Sequence, residues 1–140
     1  MLSLTSQWLA DRLAAKPLGY RGEELAARHL KKRGYVIVAK RLRGRFGEID
    51  LIAVDDKTVV FVEVKTRRSR RTGHPSDVID AAKIRRMTRA ALVFLKRHGL
   101  TEYPARFDVV AITWPRSVRR PEIEHFQNVF EADLTGHEMS

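Results

Sequence analysis

The stretch GEIDLIAVDDKTVVFVEVKTRR, residues 47–68, holds two apolar, β-branched segments that nevertheless carry Asp50, Glu63 and Lys65. Ionised side chains are costly to bury unless paired, so these segments either turn one face to water or surround a charged ligand. Side chains alternate along a strand. Phe61, Glu63 and Lys65 therefore share one face and Val60, Val62 and Val64 the other, while Glu48, Asp50 and Ile52 stand against Ile49, Leu51 and Ala53. Directly opposed residues point the same way, so a tight turn at Asp56 and Lys57 predicts Ile52 facing Phe61, Asp50 facing Glu63, and Glu48 facing Lys65. Like charges so placed, with β-carbons ~4.5–5.5 Å apart, are destabilising. A divalent cation reverses that sign, because two such carboxylates can both reach a Mg²⁺ whose oxygen ligands sit at ~2.0–2.1 Å. Lys65 cannot be a ligand while protonated, but it can orient water or offset charge on a phosphate. The same spacing also fits an exposed face in which Lys65 pairs with Glu48.

A third acid comes from the preceding segment. Residues 18–33 read as a helix stopped at Gly34. In it Glu23, Ala26, Ala27 and Leu30 recur at helical spacing, so Glu23 heads the stripe facing the sheet, with Glu24, Arg28 and Lys31 pointing away. A first-turn glutamate is also favoured by the helix dipole. Residues 35–41 suit a strand and Gly44 to Gly47 a turn. Ser76 is expected to cap a helix reaching about His98, with Ile84, Met87, Ala91, Phe94 and Leu95 on one side, and residues 105–114 and 123–130 supply two more strands. This order of helix, three strands, long helix and two strands specifies a mixed α/β layer fold. Residues 1–17 read as an appendage, possessing a short helix with Trp8, Leu9 and Leu13 on one side, residues 18–132 as a single domain, and residues 133–140 as a tail.

Charge narrows the partners. Lys and Arg number 27 against 17 Asp and Glu, a net +10, which points to a polyanion, nucleic acid first. Arg67, Arg68, Arg70 and Arg71 leave the strand that carries Glu63 and Lys65, and Arg85, Arg86 and Arg89 on the long helix extend the same track; arginine suits bidentate phosphate contacts. With no cysteine there is no disulfide and no zinc–thiolate site. The five histidines lack HExxH spacing. No apolar run is long enough to span a bilayer, and residues 1–17 lack the pattern of a secretory signal, so the expectation is a cytoplasmic protein with no membrane partner.

The Gly-x-x-Gly-Glu run from Gly19 to Glu23, GEIDLIA and FVEVKTR together resemble the YraN-type bacterial family, within the restriction-endonuclease-like PD-(D/E)XK nucleases and similar to archaeal Holliday-junction resolvases. The resemblance implies a restriction-endonuclease-like three-layer α/β fold, a central mixed sheet flanked by helices, with an αβββαβ core and a C-terminal strand. It implies Asp50, Glu63, Lys65 and Glu23 as catalytic residues, with Glu23, Asp50, Glu63 and the carbonyl of Val64 holding Mg²⁺ or, alternatively, Mn²⁺. Lys83 and Arg67 match further positions of the family and join the nucleic-acid contacts. The residue before Asp50 is Ile49 rather than proline, a departure that leaves the carboxylate in place. The activity implied is metal-dependent hydrolysis of DNA, ahead of RNA, selective for branched or junction-like structure and suited to a two-fold homodimer; the alternative is a non-catalytic nucleic-acid-binding protein that retains the nuclease fold.

Overall fold

The computed structural model describes residues 18–69, 79–132 and 134; the expected appendage at residues 1–17, Ser76 and most of the tail lie outside these. Helix α1, Leu18–Lys32, buries Ala26, Ala27 and Leu30, the small-residue stripe expected from its periodicity. It stops at Gly34, whose φ of +91° is open to glycine at little steric cost, with the Tyr35 amide bonded back to the Leu30 carbonyl at 3.0 Å. Three strands follow, β1 (Val36–Gly44), β2 (Gly47–Asp55) and β3 (Thr58–Arg67), then helix α2 (Ala81–Arg97) and strands β4 (Ala105–Thr113) and β5 (Glu122–Phe130).

The strands form one mixed sheet in the order β1-β2-β3-β4-β5. β3 and β4 run parallel and the other pairs antiparallel. Parallel neighbours need a crossover, and α2 lies between these two in the chain. One apolar core sits between α1 and the sheet, made of Ala26, Ala27 and Leu30 with Leu51, Ala53, Val60, Val62, Val110 and Ile112. The other sits under α2, where Met87, Ala90, Ala91 and Leu95 meet Ile49, Ile52, Phe61 and Phe107. The architecture is thus three-layered α/β: the element order specified a mixed α/β layer fold, and the resemblance its three layers.

Two boundaries differ from the sequence reading. Helix α2 is capped by Asp80, not by Ser76: the Asp80 backbone is extended and its carboxylate accepts the Lys83 amide at 2.8 Å, satisfying one of the donors a helix start leaves open. Strand β1 continues past Arg41 to Gly44, because it pairs with β2 as far as Gly44 opposite Gly47. Gly47 has φ +137° and lies so close to helix α2 that an added β-carbon would collide with the Arg86 carbonyl. A side chain there would force the hairpin tip off the helix.

Away from the acidic residues, Asp108 is fully buried in β4 at an irregularity in the β4–β5 pairing. Its carboxylate accepts bonds from Arg106 Nε at 3.1 Å and the Asn128 amide at 2.9 Å, and it meets His125 Nε2 at 2.8 Å. Arg106 also reaches Asp55 and the Tyr35 hydroxyl. Burial pushes the Asp108 carboxyl up, but the bonds from His125, Asn128 and Arg106 outweigh it and hold the pKa below the ordinary value. Asp108→Ala removes one of the two carboxylates that half-buried Arg106 meets, Asp55 being the other, and leaves the Asn128 amide and His125 without this acceptor, a change worth ~1–3 kcal/mol. Urea denaturation at neutral pH is expected to show a loss of that order. In the wild type the part of this stability that comes from the lowered Asp108 pKa is present above the unfolded carboxyl pKa and fades as pH falls through the folded value.

Candidate active site

The β2–β3 ladder runs from Asp55 opposite Thr58 to Leu51 opposite Val62, closed by the two-residue turn Asp56–Lys57, with Ile52 opposite Phe61 as expected. There the pairing stops. Instead of continuing the ladder, the Asp50 carboxylate takes the Val64 amide, Oδ2 to N, at 2.8 Å. Alternation breaks at the same point: Ile49 packs in the α2-side core with Ile52, whereas Leu51 packs on the α1 side. On the neighbouring strand Arg41 has φ +53°, the left-handed region that non-glycine residues seldom enter. The backbone of β2 therefore turns as it passes Asp50, and the carboxylate, 8% exposed, fills the gap where β2 and β3 part.

Glu23 and Glu63 reach that gap from opposite sides of the sheet. Gly22 brings α1 in: an added β-carbon would strike the Thr66 hydroxyl, so the glycine permits contact with β3 at the turn that presents Glu23. Burial and then the Asp50 charge push the Glu23 carboxyl up, with Arg41 and Arg43 opposing. Glu63 faces α2, its Oε1 lying 3.2 Å from Lys83 Nζ. Its pKa is pushed up to about 7, first by burial and then by Asp50, with Lys83 opposing. Among the described residues Glu23 Oε2 and Glu63 Oε2 are both buried without a hydrogen bond, although Arg41 stands 3.5 Å from the former; a buried acceptor left without a hydrogen bond costs free energy.

Cationic side chains meet the remaining demand. Arg43 stands 3.2 Å from Asp50 Oδ1, 3.9 Å from Glu23 and 3.1 Å from Glu48, and Arg41 lies 3.5 Å from Glu23. Among the described residues no three carboxylates or imidazoles stand together at metal-ligand spacing. Arg41 and Arg43 were missed from the sequence, although a two-residue turn between Gly44 and Gly47 places Arg43 opposite Glu48, a pairing readable from the turn alone.

Several expected contacts fall elsewhere. Glu48 pairs with Arg43 and, at 3.8 Å, with Lys83, not with Lys65, because β2 and β3 have parted before reaching them. Lys65 lies two residues beyond Glu63, half-buried, and forms no ion pair among the described residues. Lys83 is turned into the acidic cluster rather than onto an open basic face. Arg67 is also withdrawn from the surface, 8% exposed with Nε bonded to Thr113 Oγ1 at 3.0 Å, beside its partner residue on β4. Arg68 is exposed and bonds the Trp114 carbonyl at 3.0 Å. Arg86 is exposed beside the β1–β2 turn. Arg70 and Arg71 lie outside the described residues. No described helix is long and apolar enough to cross a membrane.

The model of the family described as "Uncharacterised protein family UPF0102" matches residues 22–112, which include Glu23, Asp50, Glu63 and Lys65. The chain is 48% identical over 118 residues to a UPF0102 protein of Rhodopirellula baltica, covering 82% of this chain and 71% of the relative. It is 48% identical over 121 residues to one of Geotalea uraniireducens, covering 86% and 94%, and 47% identical over 118 residues to one of Symbiobacterium thermophilum, covering 84% and 99%.

The Glu63 environment predicts a pH-dependent stability. A carboxyl whose folded pKa lies above its unfolded one binds its proton more tightly when folded, so stability falls as pH rises from ~4.3, the unfolded value, to about 7, and stays low beyond. The penalty is on the order of 3 kcal/mol, the opposing effect of Lys83 being already contained in the shifted value. Glu63→Gln is therefore expected to be more stable than the wild type at pH 8 in chelator, with the difference closing below pH ~4. Denaturation curves at the two pH values check it.

Proposed function

The chain belongs to the UPF0102 family, and we propose, from the acidic cluster and the resemblance of its motifs, that it is a divalent-metal-dependent endonuclease acting on DNA, with its chemistry at the Glu23, Asp50, Glu63 and Lys65 cluster. The observation that carries this reading is the pair of buried oxygens without a hydrogen bond among the described residues, Glu23 Oε2 and Glu63 Oε2, in carboxyls that each feel the Asp50 charge. Carboxylate oxygens are the donor type that Mg²⁺ and Mn²⁺ prefer, and the three acids, which do not stand at ligand spacing among the described residues, would have to close on the ion. Glu23, Asp50 and Glu63 would hold such an ion with the Val64 carbonyl, and when bound it supplies a Lewis acid and a water of lowered pKa.

The chain's own residues do the rest. Asp50 is fixed in place by the Val64 amide. Arg43, the most exposed partner of the cluster apart from Glu48, is the side chain placed to leave the acids for a phosphate, to which arginine binds in bidentate fashion. Lys65, without a carboxylate partner among the described residues, donates to the attacking water or to a non-bridging phosphate oxygen, where negative charge grows as the new P–O bond forms and the ester P–O bond breaks. The restriction-endonuclease-like identity of the fold, and selectivity for branched DNA, belong to this same proposal. A second reading draws on a specific observation: Arg43 and Lys83 already compensate the acids, which suits a protein that binds DNA without cutting it.

Two measurements separate the readings. Mg²⁺ is expected to raise the thermal midpoint of the wild type but not of Asp50→Asn, since an ion bound only by the folded state stabilises it. Labelled junction, flap, single-stranded and duplex DNA incubated with Mg²⁺ or Mn²⁺ is expected to be cut by the wild type, and about a hundred-fold or more slowly by Lys65→Ala. If every substrate stays intact while binding persists, and Mg²⁺ leaves the midpoint unmoved, the enzyme reading is wrong and the binding reading stands.

A further inference from the structure

Next to the acidic cluster, a cavity of about 320 Å³ opens between the β1–β2 turn and α2, lined by Arg43, Arg45, Phe46, Glu48, Arg86 and Arg89 along with the two turn glycines. Its volume lies at the small end of ligand sites, which run ~300–1,000 Å³. Arg45, Arg86 and Arg89 are exposed and form no ion pair among the described residues. Glu48, the one acid of the lining, is already held by Arg43 at 3.1 Å.

Phe46 has no fold-level reason to be there. It is 38% exposed and belongs to neither core. Two-residue turns favour small residues such as Gly, Asn and Asp, so turn chemistry asks for neither Arg45 nor Phe46. The Arg45 guanidinium lies over one face of the Phe46 ring, 5.1 Å from its centroid, which puts a cation against the π-system and leaves the opposite face for a stacked base. An aromatic face ringed by unpaired arginines suits a ligand that carries both a planar ring and a phosphate. Intact duplex offers phosphates but keeps its base faces stacked on one another, whereas a single strand can lay a base on an aromatic side chain.

We propose that this pocket takes one unpaired nucleotide of a DNA strand, its base stacked on Phe46 and its phosphates held by Arg45, Arg86 and Arg89. This rests on the proposal that the cluster acts on DNA and narrows it, naming strands with an unpaired base beside the site as the preferred substrate class. Arg43 and Glu48 belong to both places, so a strand crossing the pocket is delivered to the acids.

The test is fluorescence anisotropy in chelator, with a short single-stranded oligonucleotide, the same oligonucleotide made abasic, and a blunt duplex. Phe46→Ala is expected to bind the single strand about ten-fold more weakly, the scale of one lost base–aromatic stack, while duplex affinity stays unchanged. Phe46→Trp keeps wild-type affinity, and the wild type binds the abasic strand as weakly as Phe46→Ala binds the intact one. An equal loss on duplex and single strand, or no loss at all, overturns the pocket. Unaltered thermal midpoints exclude misfolding at this exposed position. Cleavage is not needed for the measurement, so an inert acidic cluster leaves the result standing, and Mg²⁺-dependent cutting with no Phe46 effect removes the pocket alone.

Discussion

The bond between the Asp50 carboxylate and the Val64 amide is the contact on which the local architecture turns. A strand amide usually satisfies itself on the neighbouring strand; here Val64 is satisfied by a side chain, so β2 and β3 separate without leaving the amide unpaired. The separation makes room for Glu23 from the α1 side and Glu63 from the α2 side. It also explains why Asp50 is buried yet ordered: one oxygen is tied to the main chain and the other to Arg43. A continued ladder would keep Glu23 and Glu63 on opposite faces of an unbroken sheet.

Much of this was legible in the sequence, and the reasons differ by element. The helices follow from the Ala26, Ala27, Leu30 and the Met87, Ala91, Leu95 stripes, since burial of one face is what a 3.6-residue period encodes. The β2–β3 register follows from the turn at Asp56–Lys57 and the Ile52–Phe61 pair. The register reading failed where a side chain took over a backbone bond, because period-two reasoning assumes that the ladder continues. Glu48 accordingly pairs with Arg43 across the other hairpin. The helix cap shifted from Ser76 to Asp80 because both residue types serve and spacing alone does not choose between them.

The arginines show a different limit. Composition revealed a basic chain, but not which cations are spent internally. Arg67 is buried and bonded to Thr113, and Lys83 is absorbed by Glu63 and Glu48, although both read as surface charge. Arg86 does remain on the outside. Burial separates these cases, and burial of a long side chain depends on tertiary neighbours that one-dimensional spacing does not contain.

Two glycines then connect the motifs to the geometry. Gly22 allows α1 to touch β3 at Thr66, and Gly47 allows the β1–β2 turn to touch α2 at Arg86. Each close approach stands beside an acid, Glu23 after the first and Glu48 after the second. In both places a β-carbon would push an element outward and carry the neighbouring carboxylate with it. The short glycine–glutamate runs thus work as spacers that set how far the two helical layers stand from the split in the sheet. The electrostatics of the cluster depend on that distance, since Glu63, pushed up to about 7 chiefly by burial, meets Lys83 of α2 at 3.2 Å, and Glu23, also raised chiefly by burial, follows the glycine that lets α1 touch β3.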